Sequence, residues 1–305
     1  MAFSGDFLMI AARGDDRRGV TLVEVLIVMA VIFFVLLLAL TALPRSRETA
    51  RLASCGLNLS QIGKALAYYD GAVGHLPRVA PPGTNGPGPL GAVLGLFGLD
   101  DLKNLEKSGS PPSAVGRGAP SEHVVRGFLC PSDSNARNST FPAPVNYRAN
   151  TGSGTDGRDG PFAIGGAPKV AEAEAAGKDF TAAFSERLVG SGPREFSPIN
   201  DYQVVAGPLG QEPCPPDSPS ARRRDAGSSW ARADWTSSLY NHAMTPNASP
   251  SCIASDDLTA RMGASSAHTL RVNVLMLGGS VRGFTPRVDP KVWRNFGPIS
   301  VKERD

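Results

Sequence analysis

The stretch Arg17-Arg18-Gly19-Val20-Thr21-Leu22-Val23-Glu24 opens into an apolar run from Val25 to Leu43, and its reading decides the fold. The run is 19 residues long, carries no charge, and has Thr41 as its only clearly polar member. At about 1.5 Å of rise per residue it comes close to the roughly 30 Å hydrocarbon core of a bilayer. A helix satisfies its own backbone hydrogen bonds in lipid, so the stretch is expected to form a transmembrane helix.

A cleavable secretory signal is the competing reading. Such a signal has an apolar core of about 7–15 residues followed by a small-residue cleavage site. Here the run is longer, and Pro44-Arg45-Ser46-Arg47 offers no such site. The segment before the run says more. A basic leader ends at Gly19, and one carboxylate, Glu24, stands at the head of the apolar segment. A charge at the centre of a membrane helix costs on the order of 2.5–3.5 kcal/mol, and less near its end, so Glu24 calls for a partner.

These residues resemble the type IV prepilin N-terminus, in which a dedicated peptidase cuts after the glycine of G-F-T-L-x-E. Gly19-Val20-Thr21-Leu22-Val23-Glu24 matches that motif except that Val20 stands where phenylalanine is usual. The resemblance implies that Gly19 is the prepilin peptidase cleavage site and Val20 the new, N-methylated terminus. It also implies that Glu24 is the assembly residue, pairing with the N-terminal amine of a neighbouring subunit.

The chain has 305 residues and a net charge of +3. A span near the N-terminus leaves about 260 residues for one or two soluble domains. Charge this close to balance gives no global pull toward nucleic acid. The 34 glycines and 26 prolines make up a larger share than the usual ~12%, which predicts a loop-rich domain with short strands. Arg13, Arg17 and Arg18 precede the span and Arg45, Arg47 and Arg51 follow it, so charge counting leaves the orientation open. The prepilin resemblance implies a cytoplasmic leader with everything after the span outside. Cys55, Cys130, Cys214 and Cys252 then lie where disulfides persist. Four cysteines allow three pairings, and no two have C-x-x-C spacing. Cys55–Cys130 with Cys214–Cys252 would tie the stem to the head and close one late loop; four free buried cysteines are the alternative.

After Pro44 the helical pattern continues. Leu52, Cys55, Leu59, Ile62, Leu66 and Tyr69 recur at steps of three and four, one face of a helix. The pattern predicts a single long helix, kinked or interrupted near Pro44, whose soluble half packs on its own head. Pro- and Gly-rich loops are expected from Leu76 to Gly91 and from Ser108 to Pro120, with a helix over 90–107 presenting Leu94, Phe97, Leu102 and Leu105 to the core. Val124–Cys130, Val145–Arg148, Phe180–Leu188 and Asn200–Ala206 read as strands, and 168–177 as a weak Ala/Glu helix. Arg271–Leu277, Gly278-Gly279 and Ser280–Phe284 read as a hairpin whose two-residue turn has positive φ at both glycines. The Gly- and Asp-rich stretch Thr151–Gly160 lacks both the strand–G-x-G-x-x-G–helix order and EF-hand spacing, so it is a solvated turn. Arg222-Arg223-Arg224 is a solvated basic loop, and Trp230 and Trp235 are core or loop anchors.

Several landmarks resemble one subfamily of bacterial prepilin-like proteins with a large uncharacterised C-terminal domain. They are Leu52–Gly63 around Cys55, Leu129-Cys130-Pro131-Ser132-Asp133, Asn146-Tyr147, Phe184-Ser185-Glu186-Arg187, Tyr240-Asn241-His242 with Pro246-Asn247 and Cys252, and Val272-Asn273-Val274-Leu275. Gly278 replaces the aspartate that usually opens the hairpin turn there. The resemblance implies an α+β, pilin-like architecture: a cleaved leader (1–19), a transmembrane helix (20–43), its soluble, amphipathic continuation (44–71), and a loop-rich extracytoplasmic head (72–305) with a small antiparallel sheet.

No catalytic constellation stands out. H-E-x-x-H, G-x-S-x-G and G-x-x-x-x-G-K-[ST] are all missing, and His75, His123, His242 and His268 are scattered. His242, His268 and Asp256 would make a metal trio only if the fold brought them together. No catalytic residue, cofactor or metal is expected. The expected function is therefore structural: a single-pass pseudopilin in the inner membrane, N-terminus cytoplasmic and head periplasmic or extracellular. Its partners would be the prepilin peptidase/methyltransferase, other pilin-like subunits, the membrane, and a type II secretion or type IV pilus-like assembly machine. The alternative is a membrane-tethered binding protein whose head recognises glycan or envelope material.

Overall fold

A computed structural model describes residues 19–81, 87–97, 123–166, 168–173 and 177–299. The leader up to residue 18, the Ser108–Pro120 loop, Leu102 and Leu105 lie outside the described residues. The chain divides into two compact units, one up to Arg47 and one from Glu48 onward.

Helix α1 (Leu22–Val73) begins in the first unit and ends in the second. The interruption expected near Pro44 is not there. Proline removes one i→i−4 bond, and a helix of 52 residues stays continuous through that loss. In the first unit every large apolar side chain from Leu22 to Leu38 is exposed, all round the helix. Among the described residues, however, no helix is long and apolar enough to cross a membrane.

In the second unit the predicted stripe is the buried face. Cys55, Leu59, Ile62 and Leu66 are buried, and Leu52 and Tyr69 are partly so. They pack against a five-stranded sheet of order β5-β1-β2-β8-β9, formed by β1 (Tyr147–Asn150), β2 (Ala182–Glu186), β5 (Leu239–Tyr240), β8 (Val272–Met276) and β9 (Val281–Phe284). A second, four-stranded sheet has order β4-β3-β6-β7, from β3 (Tyr202–Val205), β4 (Arg222–Arg223), β6 (Ser251–Ala254) and β7 (Ala260–Arg261). Among the described residues the head thus carries two sheets where one small antiparallel sheet was expected. Each is mostly antiparallel with one parallel pair, β1 with β5 and β3 with β6.

Strand β8 explains the layering. Val272, Val274 and Met276 point into a smaller core around Trp293, on the helix Pro290–Asn295, while Leu275 joins the larger core with Cys55 and Phe184. Both faces of β8 are buried, so side-chain alternation sorts its residues between two cores.

Several local expectations are corrected. Val124–Cys130 holds a 3-10 turn over Arg126–Phe128 in place of a strand; Phe128 N–H donates to Val125 and its ring packs edge-on against Phe97 and Trp230. The first strand starts at Tyr147, two residues later than read. The 90–107 and 168–177 helices are 3-10 turns over Gly91–Phe97 and Val170–Ala173, the rest of each lying in part outside the described residues. The hairpin turn has three residues, Leu277-Gly278-Gly279, because Met276 pairs with Ser280 and Gly279 N–H bonds Met276 O. Only Gly279 takes positive φ, as in a type I turn closed by a left-handed residue. Thr151–Gly160 is a turn but largely packed, with the Asp159 carboxylate accepting from Ser153 N–H, Ser153 Oγ and Gly154 N–H. Arg222 also finds partners, pairing with Asp217 and stacking on the Phe196 ring at 4.7 Å. Trp230 and Trp235 are buried in the core.

Candidate functional site

Two places carry chemistry. The first is the start of α1. Thr21 is the residue before the helix, and Thr21 Oγ1 accepts from Glu24 N–H at 3.3 Å. In return Glu24 Oε2 accepts from Thr21 N–H at 2.8 Å and from Thr21 Oγ1 at 2.9 Å. This reciprocal arrangement is a capping box, which satisfies amide donors that the first helical turn leaves open. The T-L-V-E spacing therefore does local work: it starts the helix within three residues of Gly19. Glu24 has a partner inside its own chain. Gly19 and Val20, the expected cleavage and methylation positions, are exposed immediately before the cap.

The second place lies where α1 meets the five-stranded sheet. Cys55 and Cys130 are disulfide-bonded there, and Cys214 and Cys252 form a second disulfide that closes the late loop. His268, just before β8, is 3% exposed. Its Nδ1 lies 2.7 Å from Glu48 Oε1, and its Nε2 lies 3.6 Å from both Glu186 Oε1 and Cys130 Sγ. Each carboxylate is itself held. Glu48 accepts from Ser132 Oγ, and Glu186 accepts from the backbone N–H and the side-chain amide of Asn273, its neighbour across the sheet. Burial alone would push the His268 pKa down. The hydrogen bond and charge of Glu186, with those of Glu48, outweigh that and raise it above the usual histidine value.

Around this centre the chain is tied by polar side chains. Tyr147 Oη donates to Cys55 O at 3.3 Å, and Asn58 Nδ2 donates to Leu129 O at 3.0 Å. Asp133 caps the short helix Ser134–Arg137 through Asn135 N–H, and its other oxygen accepts from Asn146 Nδ2 and Val189 N–H. Desolvation raises the Asp133 pKa against those bonds.

The trio His242, His268 and Asp256 is not brought together. His242 stacks on Trp293 at 4.0 Å, with Nδ1 on Trp293 O and Nε2 on Tyr240 Oη. The group among the described residues whose ligand atoms cluster is Cys55, Cys130, Glu186 and His268, all within 4.8 Å of one another. Glu48 and His268 are 220 residues apart, so no spacing rule could pair them.

No curated protein and no solved structure matches the chain. Residues 15–40 match the prokaryotic N-terminal methylation motif, the mark of a prepilin peptidase substrate with pilin-like assembly partners, anchored at a membrane with an extracellular head. Residues 44–291 match a second family model, so this type IV pilin-like chain belongs to the family described as "Protein of unknown function (DUF1559)".

Proposed function

We propose that the protein is a non-catalytic pseudopilin-like subunit, cut between Gly19 and Val20, methylated at Val20 and assembled in the inner membrane into a type II secretion or type IV pilus-like filament. The observation that carries this reading is the junction at the head of α1: a capping box, then a helix whose apolar side chains are exposed on every side. A helix apolar all round needs a lipid or protein surround, because a water-facing helix keeps a polar face. In this reading residues 20–43 span the membrane, with the head periplasmic or extracellular.

Both bonds from Thr21 fall on Glu24 Oε2, so Oε1 is the atom a neighbouring subunit's N-terminal ammonium would meet. In lipid, pairing relieves the desolvation cost of both charges. Glu24→Ala is expected to leave cleavage and membrane insertion intact while reducing incorporation into filaments at least ten-fold, measured by co-sedimentation with the wild-type protein. Equal incorporation of wild type and variant would contradict the pairing role and favour a helix that only tethers the head.

A further inference from the structure

We propose that Cys55, Cys130, His268 and Glu186 form a metal site when the Cys55–Cys130 disulfide is reduced, taking a thiophilic divalent cation of the zinc class. Two thiolates, an imidazole and a carboxylate are a donor set suited to tetrahedral zinc. With Zn–S near 2.3 Å and Zn–N and Zn–O near 2.0–2.1 Å, a tetrahedral site needs S···N of about 3.6 Å and N···O of about 3.4 Å. His268 Nε2 already stands 3.6 Å from Cys130 Sγ and 3.6 Å from Glu186 Oε1. On reduction the two sulfurs part to about 3.8 Å, and the ligand atoms, all within 4.8 Å of one another, close onto the ion.

The surroundings match a metal site as well as the donors do. A ligating histidine usually donates its other ring N–H to a carboxylate, which fixes the tautomer and raises the basicity of the ligating nitrogen. His268 has this arrangement: Nδ1 faces Glu48 Oε1 at 2.7 Å, leaving Nε2 toward Cys130 Sγ and Glu186 Oε1. Glu186 is oriented by two bonds from Asn273, and Glu48 by Ser132. All four ligating residues are buried, so bulk water competes little for the ion.

The redox step balances with a phosphine as reductant. The phosphine and one water become the phosphine oxide, and the disulfide becomes two thiols. Binding the divalent cation then expels both thiol protons, and the Nε2 proton where the imidazole carries one. The site gives α1 and the sheet two interchangeable ties at one place, a covalent one under oxidising conditions and a coordinate one under reducing conditions.

The test uses the full chain in detergent, reduced with a phosphine under argon and titrated with Co²⁺ and then Zn²⁺. The expected result is one Co²⁺ per chain, with thiolate-to-cobalt charge-transfer absorption and the intense ligand-field bands of tetrahedral cobalt, bleached by Zn²⁺. The oxidised chain should give no such spectrum. A Cys214→Ser/Cys252→Ser variant should retain it, Cys55→Ser/Cys130→Ser should abolish it, and Glu48→Gln should weaken binding roughly 10–100-fold. Loss of the spectrum in Cys214→Ser/Cys252→Ser, its survival in Cys55→Ser/Cys130→Ser, or its absence from a reduced chain that remains folded would each overturn the proposal. If reduction unfolds the chain, refolding it reduced with and without Zn²⁺ decides: recovery of near-ultraviolet circular dichroism only with zinc supports the site, and equal recovery overturns it.

Discussion

Burial acts with opposite outcomes on two histidines of the head. His242 is fully buried, and desolvation pushes its pKa down to about 3 against the opposing bond to Trp293 O. The unfolded chain then binds the extra proton below about 6.5, so stability is lost as pH falls from there toward 3. His268 is raised, because Glu186 and Glu48 outweigh its burial. Its contribution is fully present below the unfolded value of about 6.5 and is lost as pH rises through the higher folded value. Denaturant midpoints measured across pH should therefore decline above about 6.5 in the wild type, and His268→Gln should flatten that limb. Two buried arginines make a second contrast. Arg148 donates a long 3.4 Å bond to Trp235 O, and its Nε and Nη2 are buried without partners, whereas Arg187 leaves Nε alone unpartnered and donates to Gly263 O at 2.7 Å and to Asp201 O. A buried charge with poor compensation contributes little or negatively to stability. Arg148→Met should leave the urea midpoint unchanged or raise it, and Arg187→Met should cost about 1–3 kcal/mol by orphaning two carbonyls. Glu186, Arg187 and His242 stand in landmark stretches of the sequence, and His268 is a candidate ligand there, but the partners of these residues were not legible in it. The sheet register sets them against groups far along the chain.

Elements were legible where one period dominates. Helix α1 and the β8–β9 hairpin follow from a sustained 3.6-residue stripe and from alternation, and both are found with ends within a few residues of those expected. The segments misread were short runs such as Val124–Cys130, where length and composition fit a strand but none of the described strands pairs with it. The turn was misjudged for a different reason: Gly-Gly suggests two positive φ values, yet pairing of Met276 with Ser280 leaves room for three residues. Gly63 shows how tightly helix and sheet meet. A Cβ there would come within 2.8 Å of a methyl of Leu275 and 3.7 Å of Gly279 Cα, so glycine is kept in mid-helix despite costing roughly 1 kcal/mol relative to alanine. Gly63→Leu should overpack this contact and lower stability by about 1–3 kcal/mol in thermal unfolding, with far-ultraviolet helix content retained.

At the scale of the whole molecule, the chain joins two kinds of physics. From Leu22 to Leu38 it is a helix with apolar side chains facing outward, which calls for an environment other than water; from Glu48 it is a disulfide-tied head with its own two cores. The processing motif was readable from sequence because leader, glycine, glutamate and apolar run must follow one another in order. The head's two-sheet arrangement was not, since its parallel pairs join β1 to β5 and β3 to β6 across long intervening segments. The central claim is that the chain is a processed pilin-like subunit. It is tested most directly by intact mass and N-terminal sequencing of the protein extracted from the membranes of its native host. The account predicts a terminus at Val20, one methyl group heavier than the unmodified chain. A terminus at Met1 or Ala2 would contradict it and leave α1 as an ordinary signal anchor.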